Sequence, residues 1–406
     1  KNYADSKSDL FAVFIEKCLK FAKANSFIGM ITQHSFMFLS SYEKLREKLV
    51  NKDFVNMAHL GARAFDEISG EVVQATSFVI RNNDLKEYEG VYCRLIEPTS
   101  ENGKKEMFLS GKNRFTAKQE NFSKIPGAPI AYWISNAFLC MFEKGKTLGS
   151  LANVPKGLST GSVDRFMRFW FEVDSKNINY SCNKSQDTLN TIEKWYPYAK
   201  GGTFRRWNGN LEYIVNWKND GFEVRNFVDE KGKQRSRPQN VDYYFKKCMT
   251  YSAITSYKLS IRYLDNCIFG GGGDSIHIKN DKYFNYVLGF INSDLQTKIL
   301  NIISPTMNFE VDHLKKLPII INDEKLDIID ELVNENISIS KTDWDSFETS
   351  WDFEKHPLVS EINKSINKPV LISDCFKNWE NQCNDRFNQL KSNEEELNRI
   401  FIEIYG

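Results

Sequence analysis

Apolar residues recur through residues 8–24 (SDLFAVFIEKCLKFAKA) at the spacing of one helix face: Leu10, Phe11, Phe14, Ile15, Cys18, Leu19 and Phe21. Ser8 or Asp9 can cap that helix by accepting from a first-turn N–H. The run 27–32 (FIGMIT) is too short for a helix and predicts a buried parallel strand. Ser40 or Ser41 then caps a second helix over 42–50. Residues 55–60 predict another strand, and the β-rich alternation of 72–81 (VVQATSFVIR) predicts one more. Helix, strand, helix, strand, strand reads as the second half of a doubly wound α/β sheet. No GxG loop follows a strand in this segment. A half sheet exposes its central edge, and the chain opens on Lys1 rather than Met, so a longer parent protein is expected.

Residues 85–123 are polar and charged, predicting one strand (90–95) and then a linker. Pro126-Gly127-Ala128-Pro129 marks a boundary. Beyond it come a short helix over 134–142 and the turn Gly157-Leu158-Ser159-Thr160-Gly161. In 165–173 (RFMRFWFEV) the alternation from Phe169 to Val173 predicts a strand, and 251–264 alternates apolar residues with Ser, Thr, Lys and Arg. The glycine run of 269–274 lacks the trailing Lys-Ser or Lys-Thr of a phosphate loop and reads as a turn. A helix over 283–302 ends before Pro305, and a strand follows Leu317-Pro318. Residues 323–340 predict a helix with Ile328, Ile329, Leu332, Val333 and Ile337 on one face, and 373–405 predict a long helix that needs a helical partner.

Length and composition narrow this picture. A chain of 406 residues with 41% hydrophobic and 26% charged residues is expected to be soluble and to hold two or three domains. Net charge is +1, so any basic surface is local and offset by acid, which concentrates in 323–335, 343–354 and 394–403. Eight scattered cysteines form no CxxC pair, which argues against zinc and for reduced thiols. No signal peptide or bilayer-length apolar run is present, so a cytoplasmic protein without a membrane partner is expected.

Against that near-neutral background the stretch 196–217 stands out. Lys200, Arg205 and Arg206 flank Gly201-Gly202, with Tyr196, Tyr198, Phe204 and Trp207 interleaved. Forked guanidiniums bind phosphates and guanine edges, aromatic faces stack on bases, and paired glycines let a backbone approach a ligand. A second basic cluster, Lys231, Lys233, Arg235 and Arg237, follows downstream. Together these predict a surface that holds nucleic acid. A solvated loop, and the solvent side of a half-buried sheet, explain the same residues, and the two readings stay open on this pattern alone.

The motifs taken in order add a resemblance. Asp9-Leu10 with Phe14 and Glu16 is followed by FIGMITQHSF, SYEKLREKL and AFDEISGEVVQATSFVIRN, then by GLSTGSVDRFMRFWFEV, KGGTFRRWNGN, PTMNFEVDHLKKLPI and FNQLKSNEEELNRIFIEIYG. This series resembles adenine-specific DNA methyltransferases of the PglX type from BREX phage-defence systems, and the related restriction-modification enzymes that fuse methylation with recognition. The resemblance implies an α/β fold: the second half of a Rossmann-like methyltransferase sheet with a linker (1–125), an α+β target-recognition domain (126–321), and C-terminal spacer helices (322–406). It also implies S-adenosylmethionine as cofactor and double-stranded DNA as partner, with other phage-defence or restriction-modification proteins as further partners. The family's Asn-Pro-Pro-Tyr motif is absent, so this stretch is expected to hold no catalytic residue, to bind no cofactor alone, and to be inactive alone. By the same resemblance Asp9 and Phe14 lie near the cofactor, and Phe65 stacks on the extruded base; otherwise Phe65 is a core ring. Candidate DNA contacts are Arg165, Arg168, Lys200, Arg205, Arg206, Trp207, Lys258 and Arg262, a minority of them reading bases.

The activity so implied is methyl transfer to an extruded adenine. One rival is a non-catalytic specificity subunit guiding a separate methyltransferase, against which the opening α/β half sheet argues. A nuclease is a further rival, but Glu16-Lys17 and Glu143-Lys144 fall in helical patterns rather than on the adjacent strands its metal carboxylates need.

Overall fold

The helical spacing of 8–24 becomes α1 (Leu10–Phe21), which turns Ala12 and Ile15 inward and leaves Leu10, Phe14 and Phe21 exposed. Asp9 occupies the N-cap position, but its carboxylate accepts no hydrogen bond there. The structure is a computed structural model and describes residues 3–65, 73–85, 87–253, 258–303, 309, 311–362 and 371–406. It divides into two compact units, Lys1–Gly145 with Ile299–Pro305, and Lys146–Lys298 with Thr306–Gly406. The expected boundary was at 126, and the C-terminal helices fall within the second unit.

In the first unit the chain continues as β1 (Phe27–Gln33), α2 (Glu43–Leu49), β2 (Asp53–Gly61), β3 (Ala75–Arg81), β4 (Glu89–Arg94), α3 (Glu101–Leu109) and β5 (Arg114–Lys118). The expected start of β3 at 72 lies outside the described residues. The sheet order is β1-β3-β2-β4-β5. Because β3 is antiparallel to both β1 and β2, those two run in the same direction; β4 is parallel to β2. Side chains of Phe36, Leu45, Phe54, Phe78 and Tyr92 meet in its core.

Two expectations change here. FIGMIT is not a buried parallel strand: among the described residues β1 pairs only with the antiparallel β3, and Phe27 and Ile31 are each 63% exposed. An apolar run signals two-sided burial only when strands lie on both sides, and β1 sits at the sheet edge. Nor is 96–123 a linker. Ser100 caps α3 by accepting from the Gly103 N–H at 3.2 Å, and β5 joins the sheet antiparallel to β4.

The second unit carries two four-stranded sheets among its described residues. One runs Ile268–Phe269, Trp195–Ala199, Tyr213–Asn216, Met167–Phe169; the other runs Ile261–Leu264, Cys248–Tyr251, Ser275–Ile278, Ala152–Asn153. The strand expected over 169–173 ends at Phe169. There the Glu172 carboxylate folds back to accept from the Phe169 N–H at 2.8 Å, closing a 3-10 turn over Trp170–Glu172. The helix expected over 283–302 is two, Phe284–Ile291 and Asp294–Ile303. At the break, the Asn292 amide both accepts from and donates to the backbone of Ile261, at 2.9 and 3.0 Å.

The helix Leu326–Trp344 buries Ile329 and Val333 as expected but leaves Ile328 exposed, because its inner stripe continues through Asn336 and Ser340 instead. It packs along the C-terminal helix Ile372–Tyr405. In their seam the Asn393 amide donates to the Asn336 side-chain oxygen at 3.0 Å and to Glu335 at 2.8 Å.

Candidate nucleic-acid interface

In the first unit, β1, β2 and β4 all end toward one side of the sheet, the side where open α/β sheets place ligands. His34 follows β1 and His59 lies near the end of β2. Their rings are joined by a 2.8 Å hydrogen bond between His34 Nδ1 and His59 Nε2, and the Tyr132 hydroxyl lies 3.2 Å from His59 Nδ1. Tyr132 is in turn stacked on Tyr92 with ring centroids 4.7 Å apart. Burial lowers the pKa of His34 to about 4; burial, then the charges of His34, Arg94 and Lys104, lower that of His59 to about 3. Both imidazoles are therefore neutral near pH 7. Arg94, at the end of β4, lies over the Trp133 ring at 5.0 Å. Phe65 follows β2 and is 45% exposed, so it is not a core ring. Sequence patterning did not reveal the histidine pair, since His34 and His59 are 25 residues apart.

The expected contacts of the second unit have divergent fates. Trp207 is 1% exposed and its indole N–H donates to Glu394 Oε1 at 2.7 Å. The same carboxylate accepts from Arg206 through Oε2 at 2.7 Å, with Asp294 3.8 Å from that guanidinium. Lys258 pairs with Asp294 at 2.7 Å. Arg205 lies 3.4 Å from Asp343 and 5.0 Å over the Trp344 ring. Arg262 is 1% exposed, donates to the Arg205 carbonyl at 3.2 Å and to Ser252 Oγ at 3.4 Å, and has its pKa brought down to about 10 by burial and by Arg205.

Trp207 and Arg262 are thus core groups rather than DNA contacts, and Arg205, Arg206 and Lys258 are engaged by acids of the same unit. The physical reason is the charge balance: Asp343 and Glu394 of the late helices, and Asp294, meet these cations. Arg165, Arg168 and Lys200 stay nearer the surface. Arg165 lies over the Phe166 and Phe227 rings at 5.2 Å each, Arg168 over Trp195 at 5.6 Å, and Lys200 over Tyr213 at 4.5 Å.

The aromatic residues of this stretch are mostly core as well: Tyr196, Tyr198 and Trp217 are buried. The glycine pair serves the chain's own backbone. Gly201 has φ +92°, and a Cβ there would stand 2.4 Å from the Gly272 carbonyl oxygen.

A different basic feature does open to the surface. Lys156, Gly157, Arg235, Arg237, Gln239 and Gly271 line a cleft of about 620 Å³. Segments far apart in sequence build it, among them the GLSTG turn, the end of the 231–237 basic cluster and the 270–273 glycine run, with Ala253, Phe309 and Val311 also in its lining. The basic cluster was legible as a cluster. Its closure against two glycine-rich turns was not.

Comparison with known proteins places the chain. A family model described as Eco57I restriction-modification methylase matches residues 1–65. The adenine-specific methyltransferase PglX of Lacticaseibacillus casei (strain Zhang) is 40% identical over 415 aligned positions, covering 100% of this chain and 34% of the relative. The adenine-specific methyltransferase BrxX of Escherichia coli O9:H4 (strain HS) is 39% identical over 412 positions, covering 100% and 32%. Among solved structures, the Type IIL restriction-modification enzyme MmeI in complex with DNA shares the fold. Its TM-score is 0.55 at 11% identity, over 100% of this chain and 51% of that one. From end to end the chain is similar to adenine-specific methyltransferases of the PglX and BrxX type, and it spans about a third of their length.

Proposed function

We propose that this chain is the DNA-gripping part of an S-adenosylmethionine-dependent, adenine-specific DNA methyltransferase of restriction-modification or BREX phage defence. The observation that carries this reading is the alignment of all of its length, at 40% and 39% identity, with two adenine-specific methyltransferases. The first unit corresponds to the later part of a Rossmann-like sheet. There Phe65 presents a ring beyond the end of β2, suited to stacking on an adenine drawn out of the duplex. The neutral chain His34–His59–Tyr132 braces that edge of the sheet. Asp9 and Phe14 offer an exposed carboxylate and an exposed ring on α1, groups able to hold ribose hydroxyls and a flat base. When bound, S-adenosylmethionine supplies the methyl group. The second unit grips the duplex, with Arg165, Arg168 and Lys200 among its contacts.

The test is the full natural protein in a host free of adenine methylation, with modified adenines mapped by sequencing. Methylation confined to one recurring motif is expected, and its total absence overturns the reading. Phe65→Ala is expected to lower methylation while leaving duplex affinity within about twofold. The 406-residue chain alone is expected to bind duplex DNA weakly, with affinity falling steeply as salt rises.

A further inference from the structure

We propose that the cleft between the GLSTG turn, Arg235–Arg237 and the 270–273 glycine run is a phosphate-backbone clamp for one strand of duplex DNA. This rests on the reading above that the second unit grips DNA.

The cleft is built around an extended segment. Ser159 and Arg237 exchange both backbone hydrogen bonds, at 3.1 and 2.7 Å, and the Arg235 N–H is held by the Phe227 carbonyl at 2.9 Å. Between the two arginines Ser236 is buried, its hydroxyl donating to the Val224 carbonyl. Side chains alternate in extended chain, so burying Ser236 turns Arg235 and Arg237 to the same side. Both are exposed, and neither has an ion pair among the described residues. Lys156, also exposed, lines the cleft with them, and its carbonyl accepts from the Asn240 amide at 2.9 Å.

The opposite wall is backbone. The Leu158 N–H donates to the Phe269 carbonyl at 2.9 Å, and the Gly271 N–H donates to the Leu158 carbonyl at 3.1 Å. A Cβ on Gly157 would lie 2.5 Å from the Phe269 oxygen, so this wall tolerates no side chain there. Among the described lining residues one is an acid, Asp274. It is 6% exposed, and its Oδ1 accepts the Gly157 N–H at 3.0 Å, so that carboxylate oxygen is spent on the wall.

Shape decides between the two ways arginines meet DNA. Base edges lie at the bottom of the major groove and are reached by protein that protrudes. A concave basic channel instead fits the convex, regularly charged phosphodiester strand. Three cations on a tied-down scaffold, with a wall of glycines, match the second case.

The experiment measures salt-dependent duplex binding of the chain, and the methylated motif of the full protein, for two double variants. Arg235→Ala with Arg237→Ala is expected to reduce the slope of log affinity against log salt by about two, so that affinity falls about tenfold less between 50 and 200 mM salt. Arg235→Lys with Arg237→Lys is expected to keep most of that slope, because a phosphate accepts an ammonium where a guanine edge wants the guanidinium fork. Both variants are expected to keep the native methylated motif and the native unfolding midpoint.

An unchanged slope in the alanine variant overturns the clamp. So does a changed motif in the lysine variant, which assigns the arginines to base reading. Methylation by the native protein with an unchanged alanine slope removes the clamp alone. A normal slope response without any adenine methylation removes the enzymatic reading alone.

Discussion

Arg206 and Arg235 lie in the same unit and carry the same guanidinium, but their surroundings differ throughout. Arg206 is 13% exposed, bound to Glu394 and close to Asp294. Arg235 is exposed, with no acid partner among the described residues. Lys258 and Arg205 follow the first pattern; Arg237 and Lys156 follow the second. A basic cluster in a nearly neutral chain is therefore not yet a surface for an anion. Its charge has first to escape the chain's own carboxylates, and the described acids of the late helices reach only one of the two clusters. The histidines of the first unit show the remaining possibility. Desolvated, and with no carboxylate partner among the described residues, they give up charge instead of pairing it.

The largest effect expected is on those histidines. Their folded pKa values lie below the ordinary 6.5, so as pH falls the unfolded chain takes up protons first. Stability is full above about pH 6.5 and is lost as the pH approaches 4. At pH 5 two such sites cost roughly 4 kcal/mol at most. Urea unfolding across pH 7.5 to 5 checks this, and His34→Gln with His59→Gln should flatten the profile. A flat native profile would mean that the pair protonates in place.

Next is Glu394→Ala. It leaves Arg206 and the buried Trp207 indole without their carboxylate and is expected to cost about 3 kcal/mol by chemical denaturation. A loss under about 0.5 kcal/mol would erase the distinction between the two clusters, since that is the range of ordinary surface changes. Arg205→Ala should fall between, at about 1 kcal/mol or less, because its carboxylate partner is half exposed and its ring contact is a single one. Arg235→Ala with Arg237→Ala should change stability least, within about 0.5 kcal/mol. A larger loss would show these side chains to be structural after all.

What could be read from the sequence follows from how local each signal is. The periodicity behind α1, the alternation behind β3 and the paired late helices depend on neighbours in the chain, and each appears close to its expected place. The errors depend on distant partners. FIGMIT has the composition of a two-sided strand, and only the pairing shows that β1 is an edge. The stretch 196–217 has the composition of a DNA-binding loop, and only Glu394, 187 residues away from Trp207, shows where its donors go. Arg235 and Arg237 were visible as charges, but their same-side display depends on Ser236 turning inward.

The seam between the two long helices has a mechanical consequence. Asn393, which meets Asn336 across that seam, is the immediate neighbour of Glu394, which fastens Arg206 and Trp207. Sliding the C-terminal helix by one turn, about 5.4 Å, would strand two buried amides and unfasten an indole and a guanidinium in the same movement. That helix is a bolt rather than a piston: the contacts that hold the seam and those that hold Arg206 and Trp207 sit on adjacent residues, so the two sets stand or fall together.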